Sequence, residues 1–99
     1  MSQQYQVGKT ATVVHKNQNT NMMNVIYHDT IVVAWDDTKI ILNTGGWRTA
    51  TTKTRMNQAS NQYQLGYNVY QKDWSWFISF KNSDKILSFD NDEISFLRI

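Results

Sequence analysis

Apolar and polar positions alternate with a period of two along several short segments of this chain, and that period predicts strands. In residues 7–14, Val7, Lys9, Ala11 and Val13 fall on one side against Gly8, Thr10, Thr12 and Val14, as in a half-buried strand; His15 to Asn21 then reads as a loop. Residues 25–43 predict a β-hairpin with Asp36-Asp37 as its loop. In that register Ile31, Val33 and Trp35 share a face with Ile40 and Leu42, with Val33 opposite Ile40, Ile31 opposite Leu42, and Ala34 and Lys39 on the wetter face. After Gly66, Tyr67, Val69 and Gln71 alternate toward a Lys72-Asp73 turn, from which Trp74, Trp76, Ile78 and Phe80 return. Val69 then opposes Trp76 and Tyr67 opposes Ile78. Residues 86–89 and 94–97 predict a last hairpin around Asp90-Asn91-Asp92.

Between these segments the pattern becomes helical. Thr49, Thr51 and Thr52 are candidate N-caps, and the helix runs to about Leu65 with Gly66 placed for a left-handed C-cap. Its apolar stripe is thin (Thr52, Met56, Ala59, Tyr63), and the outward face is almost all amide: Asn57, Gln58, Asn61, Gln62, Gln64. So narrow a stripe needs a sheet to lie on. The expected fold is α+β, an antiparallel β-sheet of hairpins with one α-helix (about residues 51–65) packed on it, in a single domain of residues 1–99. Ile31, Val33, Ile40, Leu42, Val69, Trp76 and Ile78 are its expected core, with Met56, Ala59 and Tyr63 packed on them.

Composition narrows the chemistry. Cysteine is absent, which excludes disulfides and thiolate catalysis. The first six residues lack the pattern of a signal peptide, and no apolar run is long enough to span a bilayer, so a cytoplasmic, soluble protein is expected. Charge is uneven: residues 38–72 hold Lys39, Arg48, Lys53, Arg55 and Lys72 and no acid, a charge of +5. From Asp73 onward, Asp73, Asp84, Asp90, Asp92 and Glu93 outweigh Lys81, Lys85 and Arg98, leaving −2. That asymmetry suggests an anionic partner for the middle of the chain, or a solvated surface whose charges cluster.

The run Asn43-Thr44-Gly45-Gly46-Trp47-Arg48-Thr49 is where an anion would sit. Glycines let the backbone approach, and a helix start presents free N–H donors. It matches neither established glycine-rich phosphate fingerprint, and it serves equally as a plain strand-to-helix connection. Lys53 and Arg55 near a helix N-terminus are locally unfavourable unless an anion offsets them. Trp47, Tyr70 and Trp74 are aromatics available for stacking. The two histidines, His15 and His28, stand at no metal-ligand spacing, and His28 and Asp29, adjacent on a strand, point to opposite faces. No catalytic set is apparent, so no enzyme activity, cofactor or metal is expected.

The words Tyr27-His28-Asp29-Thr30, Leu42 to Thr49, Thr51 to Asn57 and Tyr70 to Phe77 resemble a widespread family of small, uncharacterised tailed-phage proteins. The resemblance covers a core of about residues 25–80, leaving the N-terminal strand 7–14 and the C-terminal hairpin 86–97 outside it. It implies a phage origin and action in the cytoplasm of an infected bacterium. The leading expectation is a non-enzymatic counter-defence or host-takeover protein that binds a nucleotide or nucleic acid. The ligand residues are Gly45, Gly46, Trp47, Arg48, Thr49, Lys53, Arg55, Tyr70 and Trp74. The alternatives are an anti-CRISPR-like inhibitor of a host defence protein and a minor structural phage protein. A homo-oligomer stays open, and no membrane association is expected.

Overall fold

The computed structural model describes residues 12–27, 30–46 and 49–98. In chain order these form β1 (Thr12–Lys16), β2 (Met23–Tyr27), β3 (Thr30–Trp35), β4 (Lys39–Asn43), α1 (Ala50–Tyr63), β5 (Tyr67–Lys72), β6 (Ser75–Phe80), β7 (Ser83–Ser88) and β8 (Glu93–Leu97). The strands divide into two antiparallel sheets, one ordered β1-β2-β3-β4-β8 and one β5-β6-β7. The α+β expectation of a single sheet under a helix is therefore replaced by a β-rich fold, with eight strands and one helix among the described residues. Of the expected N-terminal strand, residues 7–11 lie outside the described residues; β1 continues through His15 to Lys16, where a loop was expected.

The helix is what separates the sheets. Asn57 Nδ2 donates to the Val69 carbonyl (2.9 Å) and the Val69 N–H donates to Asn57 Oδ1 (2.7 Å). One helical turn on, the Ser60 hydroxyl donates to the Tyr67 carbonyl (2.7 Å) and accepts from the Tyr67 N–H (3.1 Å). These two side chains stand in for a neighbouring strand along the edge of β5, so the sheet ends there with its backbone satisfied. Asn57 and Gln58 are thus not outward: Asn57 is half-buried on β5 and Gln58 is buried.

The expected C-terminal hairpin does not form. β7 pairs with β6, whereas β8 crosses back to pair with β4, Ile40 opposite Phe96 and Leu42 opposite Ile94. Phe89 is fully buried with its ring edge-on to Trp76, and the Thr44 N–H donates to the Asp92 carbonyl (2.7 Å). Those two attachments carry the Asp90–Asp92 segment to the other sheet, so it does not fold back on β7.

Both inner hairpins keep the expected inward residues with the pairing moved by two residues, although Ala34, expected on the wetter face, is buried. Val33 opposes Leu42 and Trp35 opposes Ile40; Val69 opposes Ile78 and Gln71 opposes Trp76. Each turn sits one residue later than expected. At the first, Asp36 Oδ1 accepts from the Thr38 N–H (2.8 Å), the Thr38 hydroxyl (2.9 Å) and the Lys39 N–H (2.9 Å), making Asp36 the start of the turn. A two-residue shift leaves the buried set unchanged, because side chains alternate with a period of two.

Ile31 is the exception, exposed where burial was expected. The β2–β3 pairing slips between Val25 opposite Val33 and Ile26 opposite Ile31, leaving Val32 as an extra residue. That bulge brings Val32 into the core and turns Ile31 outward.

The core joins Val25, Val33, Trp35, Ile40 and Leu42 of the larger sheet to Tyr67, Val69, Trp76 and Ile78 of the smaller, with Met56 and Ala59 from α1. The Tyr67 hydroxyl donates to the Met56 carbonyl (2.6 Å), and burial pushes its pKa above the ordinary phenol value. α1 begins at Ala50, with Thr49 as N-cap accepting from the Thr52 N–H (3.2 Å). It stops at Tyr63, two residues before the expected end. Gln64, not Gly66, is the left-handed cap (φ 55°), and it turns the chain so that Leu65 enters the core.

Candidate functional site

The Gly45-Gly46 turn is held by its own neighbours. The Gly45 N–H donates to Asn43 Oδ1 (2.8 Å) and the Gly46 N–H to Thr44 Oγ1 (3.1 Å). The buried Thr44 hydroxyl donates in turn to Asp92 Oδ1 (3.0 Å), so a carboxylate of the chain itself stands beside this turn. Gly45 has φ +62°, and a Cβ on it would meet the Thr30 side chain at 2.7 Å, so close packing on β3 requires glycine there. The glycine amides expected to cradle a phosphate are therefore engaged internally, and Thr49 is engaged as the helix cap. Trp47 and Arg48, with His28 and Asp29, lie outside the described residues.

Lys53 and Arg55 do not converge. Two residues apart on a helix, they point to opposite sides. The Lys53 ammonium lies 5.8 Å from the centroid of the Trp76 ring, in the smaller sheet; the Arg55 guanidinium lies 5.5 Å from that of Tyr27, in the larger. Each is a cation over an aromatic face. Arg55 Nη1 donates to Gln58 Oε1 (3.1 Å), whereas its Nε is buried with no hydrogen-bond partner.

Tyr70 and Trp74 belong to a separate place, the β5–β6 hairpin. Its two-residue loop is Asp73-Trp74, flanked by the Lys72–Ser75 pair. Both loop residues have positive φ, 52° and 70°. Tight hairpin turns need that backbone because its twist matches the strands, and Asp or Asn followed by Gly adopts it readily. A tryptophan at the second position is sterically strained. Trp74 nevertheless sits there, 91% exposed, with no ring or hydrogen-bond partner among the described residues. Behind it, on the outer face of the sheet, the Tyr70 and Phe77 rings stack 5.7 Å apart at 28°, half-buried, and Ile86 of β7 is exposed nearby. Lys72 and Asp73, of opposite charge, precede Trp74 in the chain.

Sequence reasoning did not find Asn57, Ser60 or the Thr44–Asp92 pair, all structural. The signal for the first two was their i, i+3 spacing, which puts both on one helix face. An open pocket of about 230 Å³ lies at the loop end of the larger sheet, lined by Lys16, Asn21, Met23, Trp35, Asp36, Asp37 and Arg98. Its charges are partly committed: Asp36 Oδ1 holds the turn, and Arg98 Nη1 donates to the Asp36 carbonyl (3.0 Å). The turn amides and the Thr38 hydroxyl hold the Asp36 carboxyl below its ordinary pKa. No three His, Asp or Glu side chains gather at one place among the described residues.

The fold defines a small β-rich domain whose exposed large hydrophobics, among the described residues, are Ile31, Trp74, Ile86 and Leu97. The chain belongs to the Kyanoviridae Gp96 protein family, a phage protein family whose model matches residues 1–95. The first 24 residues and most of β8, expected to fall outside the resemblance, are thus within the family. No curated protein and no solved structure matches the chain.

Proposed function

We propose that this phage protein is a non-enzymatic counter-defence or host-takeover factor that acts in the infected cell by gripping a host protein through the β5–β6 hairpin. The observation that carries this reading is Trp74, which combines a strained backbone with nearly full exposure and has no ring or hydrogen-bond partner among the described residues. Strain of this kind persists where it serves function. Tryptophan is also the side chain most enriched among residues that dominate binding energy at protein interfaces. Tyr70, Phe77 and Ile86 extend the apolar surface behind it. The two residues that precede Trp74, Lys72 and Asp73, cancel in charge, which favours a protein over a polyanion, since a nucleic acid at the tip would meet the Asp73 carboxylate.

The test is purification from infected cells of tagged wild-type, Trp74→Ala and Arg48→Ala proteins, followed by native mass spectrometry. The expected result is a stoichiometric host protein retained by the wild type and Arg48→Ala and lost with Trp74→Ala. A retained phosphorylated small molecule, lost with Arg48→Ala and indifferent to Trp74, contradicts the proposal.

A further inference from the structure

The smaller sheet has two edges, and the fold treats them differently. Along β5, Asn57 and Ser60 of α1 take up the outward backbone groups of Val69 and Tyr67. Along β7 no such cover exists among the described residues. The β6–β7 ladder tells which groups face that edge. The Phe89 N–H donates to the Trp76 carbonyl (2.9 Å), so Phe89 and, two residues back, Leu87 direct their backbone bonds at β6. Ile86 and Ser88, on the alternate positions, direct theirs away from the sheet. Asp84 and Lys85 have no opposite residue on β6, because the register slips between Ser79 opposite Ile86 and Phe80 opposite Ser83. Nor does the strand bury much: Leu87 is half-buried and the rest of β7 is exposed, Ile86 by 57%. A strand edge in this state is a template for another strand.

The sequence of β7 complements itself. Two antiparallel copies related by a twofold axis at Ile86 set Ile86 opposite Ile86, Lys85 opposite Leu87 and Asp84 opposite Ser88. The self-opposed isoleucines exchange the N–H and C=O that each directs outward, and their exposed side chains meet on the outer face of the sheet. No like charges stand opposite each other. Outward groups stay opposite outward groups only if the axis moves by whole residues, and both neighbouring registers are worse. Moving it one residue back sets Lys85 against Lys85. Moving it one residue forward leaves only residues 86–88 of each strand in the pairing. Asp84 and Lys85, which hinder indiscriminate pairing at an edge, thus permit this one.

We infer that β7 is the contact between two copies of this chain, paired edge to edge and antiparallel about a twofold axis at Ile86, with the two smaller sheets joined into one continuous sheet. The pairing does not rest on the Trp74 contact, and either stands if the other fails. Because the paired strands run antiparallel, the two Asp73-Trp74 turns lie at opposite ends of the joined sheet.

The test is sedimentation velocity and amide hydrogen exchange on the purified full-length protein from micromolar to millimolar concentration. The expected result is a species of twice the 11.6 kDa chain mass that grows with concentration, and exchange at the Ile86 and Ser88 amides that slows with it. A monomer throughout overturns the inference. So does slow exchange of those two amides in the dilute monomer, which would mean that the chain covers this edge itself. Ile86→Lys and Ile86→Glu, both at an exposed position, set like charges against each other across the axis. Each is expected to be monomeric alone, and the two mixed in equal amounts are expected to pair. A dimer that survives either substitution alone lies elsewhere, and a mixture that stays monomeric refutes the axis at Ile86; either overturns the inference. Ile86→Pro removes the outward donor without touching a bond to β6, and is expected to abolish the dimer while the Leu87 amide keeps its protection. A dimer retained by the proline variant overturns the pairing as well.

Discussion

Among the described residues, two turns use positive φ at consecutive positions, and they treat it oppositely. At Gly45-Gly46 the residues have no Cβ to strain, and both amides find acceptors in Asn43 and Thr44. Gly45 further lets the chain pack on Thr30, and Thr44 ties the turn to Asp92 across the fold. At Asp73-Trp74 the second residue is the bulkiest available, and its side chain has no ring or hydrogen-bond partner among the described residues. The first turn is explained from inside the molecule. The second is not, and that difference is what the proposed contact with a host protein rests on. In the turn whose glycines read as a site, both glycine amides are engaged internally, whereas Trp74, also among the expected ligand residues, stands exposed at the β5–β6 turn.

The comparison is broken most decisively at Gly45. Gly45→Ala adds a Cβ that meets a stiff, branched Thr30 side chain in a left-handed backbone, so chemical denaturation should show a loss of about 3 kcal/mol. Gly46→Ala, where nothing lies within 4 Å, should lose only about 1 kcal/mol from backbone strain. Equal effects at the two positions would mean that Thr30 does not confine the turn.

Somewhat smaller is the effect expected at the edge of β5. Ser60→Ala leaves the Tyr67 N–H without its partner in a buried setting and should lower stability by about 2 kcal/mol. Hydrogen exchange at the Tyr67 amide should accelerate with it. An unchanged amide would show that the helix is not what closes the sheet.

The smallest effect concerns the Asp36 turn. Its carboxyl titrates below the ordinary value of 3.8 because the ionised form accepts the Thr38 and Lys39 amides. The folded pKa is the lower one, so its contribution is present above the ordinary carboxyl range and is lost as pH falls through the folded value. Melts from pH 7 down to pH 3 should show Asp36→Ala slightly less stable than wild type at neutral pH, with the gap narrowing below about pH 4. A gap that widens in acid would reverse the assignment.

How much of this was legible in the sequence follows from the range of each interaction. Which residues face inward was readable, since Val33, Ile40, Leu42, Val69, Trp76 and Ile78 follow a period of two that survives a two-residue shift in pairing. The helix, its Thr49 cap and its Met56–Ala59 stripe were readable because they are local. The turn positions were not. They depend on a carboxylate capturing particular amides at Asp36, and on a tryptophan in a conformation that its propensity argues against. The partner of β8 was also hidden. Pairing with β4 joins residues some fifty positions apart, and the Thr44–Asp92 bond that guides it looks, in sequence, like two solvated loop residues. Ile31 was misplaced by one extra residue, Val32, for which no glycine or proline gives a signal.

The central claim is that Trp74 is maintained for a contact outside the chain at some expense to the fold. Trp74→Gly measures it most directly, because it converts the loop to Asp-Gly, the sequence that the turn's backbone prefers. Equilibrium denaturation should find this variant more stable than wild type by about 1 kcal/mol. The same variant should fail to retain the host protein in purification from infected cells. Loss of stability on replacing Trp74 by glycine, with binding intact, would show that the indole serves the fold and would contradict the account.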